Sequence, residues 1–139
     1  MKVLVDTTVV LDVLLDRPPH ARASAAVWEA LEAGTSKGFL AAQAITTIHY
    51  LVGKDVGGAR ATAVIRDLLS VFTVAAVDQK VFHEALRLSL PEFEDAVTAA
   101  AAQFAGCQFI VTRDPKGFRG SPVRALSPEA LLPLLAGDR

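Results

Sequence analysis

The stretch that decides the fold is VLVDTTVVLD, which occupies residues 3–12. Its first three residues form a continuous apolar run that stops at Asp6, and runs of this kind are typical of buried strands in parallel sheets. The apolar residues that follow, interrupted by Asp12, predict a short helix or turn that ends near Pro18 and Pro19, because proline is excluded from helix interiors. The chain is therefore expected to open with a buried strand whose carboxyl end carries Asp6.

Outward from this start, predicted helices and strands alternate along the chain. Further strands are predicted at residues 38–41, 71–74, 109–111 and 123–126, the last of them at a sheet edge. Helices are predicted at residues 20–33, 45–52, 59–69 and 79–88, from about 95 to 105, and after the N-cap pattern at residues 127–129. Continuous apolar strands that alternate with helices indicate an α/β fold with a parallel sheet covered on both faces. Neither a repeat nor a linker interrupts residues 1–139, so a single domain is expected.

The composition excludes several classes of protein. The 139 residues are 52% hydrophobic and 21% charged, which argues against disorder. The formal net charge of -1 lacks the basic excess of passive RNA-binding modules and better suits an acidic metal site. Cys107 is the only cysteine, so no internal disulfide can form, and it is interpreted as a small buried hydrophobe. With neither a signal peptide nor a membrane span in the sequence, a cytoplasmic location is expected.

Three acids stand where a parallel sheet places its ligands. Ligands of open α/β sheets bind at the carboxyl ends of the strands. Asp6 ends the first predicted strand, Asp114 follows the fourth, and Asp95 opens the helix that leads into that fourth strand. If the two strands are neighbours, the three carboxylates converge at one sheet edge, where they repel one another unless a cation joins them or some become protonated.

Such a cluster suits phosphodiester hydrolysis. Mg²⁺ prefers hard oxygen ligands and keeps several waters, and a bound divalent metal polarises a phosphate and lowers the pKa of water. Each acid taken alone also has a structural interpretation: Asp6 as a turn or helix cap, Asp95 as a partner of the helix dipole, and Asp114 as a turn residue before proline. The placement of all three together favours a metal site.

These residues carry a resemblance to a known family. The chain resembles the PIN-domain nucleases, in particular the VapC-like toxins of bacterial toxin–antitoxin pairs. Three stretches carry the likeness, in order and at suitable spacing: residues 3–12, residues 93–97 (FEDAV) and residues 110–118 (IVTRDPKGF). The likeness extends over essentially the whole chain.

The resemblance implies a single PIN-like three-layer α/β/α domain with a parallel sheet of about five strands. It implies a metal-dependent endoribonuclease that uses Mg²⁺ or Mn²⁺, with Asp6, Asp95 and Asp114 as metal-binding catalytic residues. Thr112 would be an accessory that orients water or substrate. The resemblance also implies an RNA substrate, a homodimer and, for a toxin, a protein antitoxin that covers the apolar helical surface and reaches into the acidic site with a basic residue.

Two positions depart from the family pattern. Members often carry an acid in the helix after the second strand, where this chain has Thr47, and often Asn at position 8, where it has Thr8. Asp12 and Glu92 are the carboxylates considered as substitutes for the missing acid. A catalytically degenerate PIN domain that binds RNA or a protein partner without cleavage therefore stays open as the alternative function.

Other phosphoryl-transfer classes fit the sequence less well. A haloacid-dehalogenase-like phosphatase needs a second Asp two residues after the first, and Thr8 stands there. A response-regulator receiver needs an Asp at the end of its third strand, which residues 74–76 lack. A nucleotide-binding P-loop is absent, because Gly57 and Gly58 are not followed by Lys-Ser or Lys-Thr.

Side chains near the motifs have more than one interpretation. His49 is expected to be a structural or surface histidine rather than a proton donor, and Tyr50 and Phe93 are expected to pack in the core rather than to stack on bases. The cations near Asp114 are interpreted either as phosphate contacts or as solvated loop residues. They are Arg113, Lys116 and Arg119.

Overall fold

The computed structural model describes residues 1–137, and the last two residues of the predicted domain 1–139 lie outside that range. Its strands are β1 (Lys2–Val5), β2 (Lys37–Ala41), β3 (Thr73–Ala75), β4 (Phe109–Val111) and β5 (Arg124–Leu126). Its helices are α1 (Thr7–Leu14), α2 (Ala21–Ala33), α3 (Ala42–Val56), α4 (Gly58–Val71), α5 (Gln79–Leu88), α6 (Phe93–Phe104) and α7 (Pro128–Gly137). A 3-10 helix, Pro115–Phe118, follows β4.

The strands form one parallel sheet in the order β3-β2-β1-β4-β5. The opening strand β1 lies at the centre, where Leu4 is paired with Phe39 of β2 on one side and with Ile110 of β4 on the other. Because a central parallel strand is covered on both faces, it requires the continuous apolar run seen at residues 3–5. The predicted α/β/α architecture with about five parallel strands is confirmed.

Each face of the sheet has its own layer of helices. Val3 and Val5 pack on the side covered by α1, α2, α3, α4 and α7, whereas Leu4 packs on the side covered by α5 and α6. This alternation is the two-residue period of a strand. The second layer includes Cys107, which is buried as predicted, and burial raises the pKa of its thiol to about 11.

Helix boundaries around α3 and α4 differ from the prediction. Helix α3 runs through Gly53 to Val56, because Gly53 lies inside the contact between the two helices, where an added Cβ would be 3.7 Å from the Cβ of Ala61. The connection predicted between residues 52 and 59 shrinks to Gly57, whose φ of +91° is a conformation that favours glycine. Since α4 extends to Val71, strand β3 begins at Thr73, two residues later than predicted.

Two aromatic residues predicted to pack in the core are exposed. Tyr50 is 63% exposed and Phe93 is 50% exposed. The prediction was wrong because α3 and α6 turn other sides towards the sheet, the sides that carry the buried Ile48 and Val97. No helix within residues 1–137 is both long enough and apolar enough to cross a membrane.

Candidate active site

The pairing of β1 with β4 brings two of the predicted motifs to the same sheet edge. Val5 lies beside Val111 in the register of the two strands. One residue further on, the backbone N–H of Asp6 donates to the carbonyl of Val111 at 3.0 Å. Both strands end at this point, so Asp6 and Thr112 leave the sheet side by side, at the carboxyl edge where ligands of such sheets bind.

Thr112 connects the acid of the first motif to the backbone of the third. Its buried hydroxyl donates to Asp6 Oδ2 at 2.8 Å and accepts from the backbone N–H of Asp114 at 3.2 Å. The Thr8 hydroxyl donates to the same Asp6 oxygen at 3.1 Å, and the backbone N–H of Thr7 donates to Oδ1 at 2.9 Å. Three donors therefore fix the orientation of the Asp6 carboxylate, which is also the N-cap of α1.

The other two predicted acids face each other across Gly117. Asp95 lies in the first turn of α6, and Asp114 is the residue before the 3-10 helix. A Cβ added at Gly117 would be 3.1 Å from Asp95 Oδ2 and 3.5 Å from Asp114 Oδ2. The two carboxylate oxygens are therefore at most 6.6 Å apart, the sum of those distances. A side chain at position 117 would enter the space between them, which glycine leaves open.

The electrostatic state of the site reflects this crowding of acids. Burial, followed by the negative charges of neighbouring carboxylates, raises the pKa of Asp95 to about 6. Burial also raises the pKa of Asp6, although its hydrogen bonds and the charge of Arg113 oppose the shift. A carboxyl group with a pKa near 6 loses its proton readily near neutral pH, so a metal cation can take the proton's place. The carboxylates that act on Asp95 are Asp6, Glu92, Glu94 and Asp114.

All four predicted site residues line one open cavity of about 500 Å³ at this edge. The cavity is large enough for a hydrated ion together with a phosphate group. Its wall is polar along the strand ends and apolar at one aromatic ring. The lining residues are Asp6, Thr8, His20, Asp95, Thr112, Arg113, Asp114 and Phe118.

The donor set fits a hard divalent cation that keeps part of its water. Within residues 1–137, no three His, Cys, Asp or Glu side chains form a ready-made cage around an ion. The carboxylates stand instead around an open space, which suits Mg²⁺ because this ion is commonly bound through one or two carboxylates and retains waters. Asp95 and Asp114 are the residues that could hold Mg²⁺ or Mn²⁺ between them, with Asp6 alongside.

The position of the missing acid is occupied by neutral side chains. The Thr47 hydroxyl donates within its own helix to the carbonyl of Gln43 at 3.4 Å, and Thr47 does not line the cavity. Gln43, in the first turn of α3, donates from Nε2 to the Thr98 hydroxyl at 3.4 Å, and its buried Oε1 accepts no hydrogen bond from residues 1–137. Gln43 therefore links the end of β2 to α6 one turn beyond Asp95, a contact that sequence analysis missed.

Of the two acids considered as substitutes, neither lines the cavity. Asp12 is fully buried on α1 and pairs with Arg113, whose Nε lies 3.1 Å from Asp12 Oδ2. Glu92 is exposed and acts on Asp95 through its charge. His49 forms a hydrogen bond with the Thr62 hydroxyl between α3 and α4 and does not line the cavity, as expected for a structural or surface histidine.

His20 is a cavity residue that sequence analysis did not single out. It follows the turn at residues 16–19 and immediately precedes α2. Its placement depends on how that turn folds back, since Asp16 adopts a positive φ of 49° there. No spacing in the sequence indicates this geometry.

Solved structures with the same fold include components of toxin–antitoxin complexes. VapBC-1 from nontypeable Haemophilus influenzae has a TM-score of 0.72 at 11% identity, covering 93% of this chain and 99% of that chain. A toxin–antitoxin complex from Klebsiella pneumoniae has a TM-score of 0.69 at 23% identity, covering 91% and 97%. VapC20 from Mycobacterium tuberculosis, described as a sarcin-ricin loop cleaving toxin, has a TM-score of 0.63 at 16% identity, covering 78% and 86%.

At these identities the likeness to solved structures shows the fold. A search of curated proteins gave no significant match. The sequence model of the PIN domain, by contrast, matches residues 2–116, a range that contains Asp6, Asp95, Thr112 and Asp114. Because this match spans most of the chain, the chain belongs to the PIN-domain family, with the fold of its VapC-like members.

Proposed function

We propose that the chain is a metal-dependent endoribonuclease that hydrolyses RNA phosphodiester bonds at the cavity of Asp6, Asp95, Asp114 and Thr112. The observation that carries this proposal is the convergence of three carboxylates on one open cavity, where burial and mutual repulsion raise the pKa of Asp95 to about 6. Membership of the PIN-domain family supports it. Cleavage by VapC20, a protein of the same fold, supports a nucleic-acid substrate.

The residues of the chain divide the work of the site. Asp95 and Asp114 would hold Mg²⁺ or Mn²⁺, which supplies a polarising charge for the phosphate and a lowered pKa for the attacking water. Thr112 holds the Asp6 carboxylate at 2.8 Å and thereby keeps one oxygen acceptor fixed beside the reacting groups. Without a bound cation, the carboxyl group of Asp95 is protonated below about pH 6. The apolar ring of Phe118 lines the same cavity.

A cleavage assay tests this function. A pool of labelled transcripts with single-stranded loops, the usual targets of sequence-specific RNA proteins, is incubated with the protein and Mn²⁺ or Mg²⁺. We expect discrete fragments that disappear in EDTA. Asp6→Asn and Asp95→Asn should lower the rate by at least about a hundredfold, the upper end of what supporting residues of a metal site cost. The control Asp55→Asn changes the same charge on an exposed residue of α3 and should cleave normally.

Two results would count against the enzyme. Cleavage that persists in EDTA or in both site variants would come from another source, and no cleavage by the wild type would leave the nuclease proposal unsupported. RNA binding without Mn²⁺ binding or cleavage would favour the second candidate, a degenerate PIN domain. The observation behind that candidate is Thr47 in α3, the helix after β2, where an acid is often present in the family.

We further propose that the protein acts as the toxin of a toxin–antitoxin pair, as a single domain that dimerises and acts in the cytoplasm. Support comes from the neighbours of the same fold that were solved as complexes with antitoxins. Exposed apolar side chains on α5 and α6, among them Leu86 at 66%, offer a surface for a protein partner. Co-expression with the small open reading frame adjacent to the gene should give a stable complex, and failure to co-purify would count against the pair.

A further inference from the structure

A fully buried carboxylate lies directly behind the candidate active site. Asp12 of α1 has no exposed surface, yet it does not line the acidic cavity. Two guanidinium groups approach it: Arg113 Nε lies 3.1 Å from Oδ2, and Arg17 Nη1 lies 3.9 Å from Oδ1. A buried charge is stable only when it is paired. The closer pair, Asp12 with Arg113, therefore fixes the position of the Arg113 side chain.

Arg113 itself faces the cavity. It follows Thr112 at the end of β4, lines the cavity with the acids, and is close enough for its charge to act on Asp6. Its Nε lies 3.1 Å from Asp12 Oδ2 in an ion pair that lacks hydrogen-bond geometry, and within residues 1–137 this side chain makes no other ion pair and no hydrogen bond. The terminal nitrogens of the guanidinium are thus available to a ligand, and the side chain is 32% exposed.

The guanidinium of Arg113 could pair either with Asp12 or with the three carboxylates of the cavity. Without Asp12, the guanidinium would be drawn onto the carboxylates of the cavity and would compete there with a metal ion. The ion pair with Asp12, at 3.1 Å, keeps the Arg113 guanidinium in the lining of the cavity. The cavity therefore offers anionic groups on one side and an anchored guanidinium on another, and a guanidinium is the side chain that best matches the oxygens of a phosphate.

We infer that Arg113 binds a phosphate of the RNA substrate and that Asp12 is a positioning residue that holds Arg113 in place for it. This inference rests on the proposed function and adds its phosphate contact. Of the three cations near Asp114, only Arg113 is proposed to contact phosphate, because Lys116 and Arg119 do not line the cavity. Neither of them has an ion pair to a buried acid within residues 1–137.

The test measures RNA affinity without cleavage. A fluorescein-labelled single-stranded RNA of mixed sequence is titrated with protein in EDTA, and anisotropy is followed between 25 and 200 mM salt. We expect Arg113→Gln to weaken binding about tenfold and to reduce the slope of log affinity against log salt by about 0.7, the value for one phosphate contact on a single strand. The matched control is Arg124→Gln, which removes the same charge from the first residue of β5, at the amino ends of the strands and thus away from the carboxyl ends that carry the cavity.

Asp12→Asn distinguishes positioning from general electrostatics. The change makes the protein more positive, so a purely electrostatic effect would tighten RNA binding. We expect the opposite, a loss close to that of Arg113→Gln, because the guanidinium is released from its place. Combined with Arg113→Gln, the change should cause no further loss, since both act through one contact.

Metal binding separates this effect from damage to the fold. Calorimetric titration of Mn²⁺ should give an unchanged or higher affinity in Arg113→Gln, because a repelling charge is removed, whereas a distorted site would lose Mn²⁺ and RNA together. The inference is overturned if Arg113→Gln matches Arg124→Gln in affinity and salt slope, if Asp12→Asn tightens RNA binding, or if the wild type does not bind RNA at 25 mM salt. RNA cleavage by the wild type alongside any of these results would leave the proposed nuclease intact.

Discussion

Replacing Asp95 by Asn should stabilise the protein in the absence of metal while removing its activity. Burial and four neighbouring carboxylates raise the pKa of Asp95 to about 6, from an ordinary value of 3.8. Between these two pH values the folded chain takes up a proton that the unfolded chain does not, so stability falls as pH rises through this window. Above about pH 6 the full penalty of the charged group is present, and below 3.8 it vanishes.

The size of the effect follows from the same pKa. A value of about 6 in place of 3.8 corresponds to about 3 kcal/mol if fully expressed. Asp95 is partly exposed, so solvent screens its neighbours, and its charge also interacts favourably with the N-terminus of α6. We therefore expect Asp95→Asn to gain about 1 kcal/mol at pH 8 in EDTA. For a chain of this length that corresponds to a Tm higher by about 4 °C.

Thermal unfolding followed by circular dichroism at pH 8 and pH 3.5, with and without Mn²⁺, measures this gain. The difference between variant and wild type should disappear at pH 3.5, and Mn²⁺ at pH 8 should raise the Tm of the wild type only. Glu129→Gln is the matched control, since it removes one exposed charge from the first turn of another helix, α7, and Glu129 is not among the carboxylates that act on Asp95. An unchanged or lower Tm for Asp95→Asn at pH 8, or a difference that does not depend on pH, would refute the reasoning.

Three further predictions follow from single contacts. Thr112→Val removes the hydroxyl that joins the ends of β1 and β4 and should slow RNA cleavage by about ten- to a hundredfold, whereas Thr112→Ser should retain most of the rate in the same assay. Gly117→Ala places a methyl group 3.1 Å from Asp95 Oδ2 and should weaken Mn²⁺ binding in calorimetry by about tenfold or more, while Gly58→Ala, which meets no atom within 4 Å, should not. Because burial raises the pKa of Cys107 to about 11, iodoacetamide should alkylate the native protein at pH 8 more than about tenfold more slowly than the urea-unfolded chain.

Much of the fold could be predicted from local patterns. The apolar run at residues 3–5 specified a central parallel strand, because only a strand covered on both faces tolerates such a run. Local signals also marked the end of α6 near Gly106 and the start of α7 at Ser127. The Ser127 hydroxyl caps α7 by accepting from the N–H of Ala130 at 3.1 Å. The boundary at Gly53 was not, because its surroundings are set by α4 rather than by its own helix.

In the candidate site, too, local patterns predicted some features, whereas long-range contacts determined others. Asp6, Asp95 and Asp114 could be placed from the order of strands and helices, since carboxyl ends of parallel strands share an edge. The sequence could not indicate that Thr112 joins two of them, beyond its position after β4, because that bridge depends on the register of β1 with β4. The contact of Gln43 with Thr98 joins side chains 55 residues apart, and no local pattern encodes such a pair.

The anchored arginine was beyond sequence analysis for a further physical reason. Asp12 was considered only as a substitute for the missing acid, but α1 turns it into the interior, where it pairs with Arg113, about a hundred residues further along the chain. His20 reaches the cavity through a turn whose path the sequence does not specify. Long-range contacts and turns thus account for most of what was missed.

The most direct test of the central claim is calorimetric titration of Mn²⁺ into the wild type, Asp6→Asn and Asp95→Asn at pH 8, with Asp55→Asn as control. The proposed site requires saturable binding by the wild type and the control, and a loss of affinity of at least about a hundredfold in both site variants. Binding that is equal in all four proteins, or absent from the wild type at millimolar Mn²⁺, would contradict a metal-dependent nuclease at this cavity.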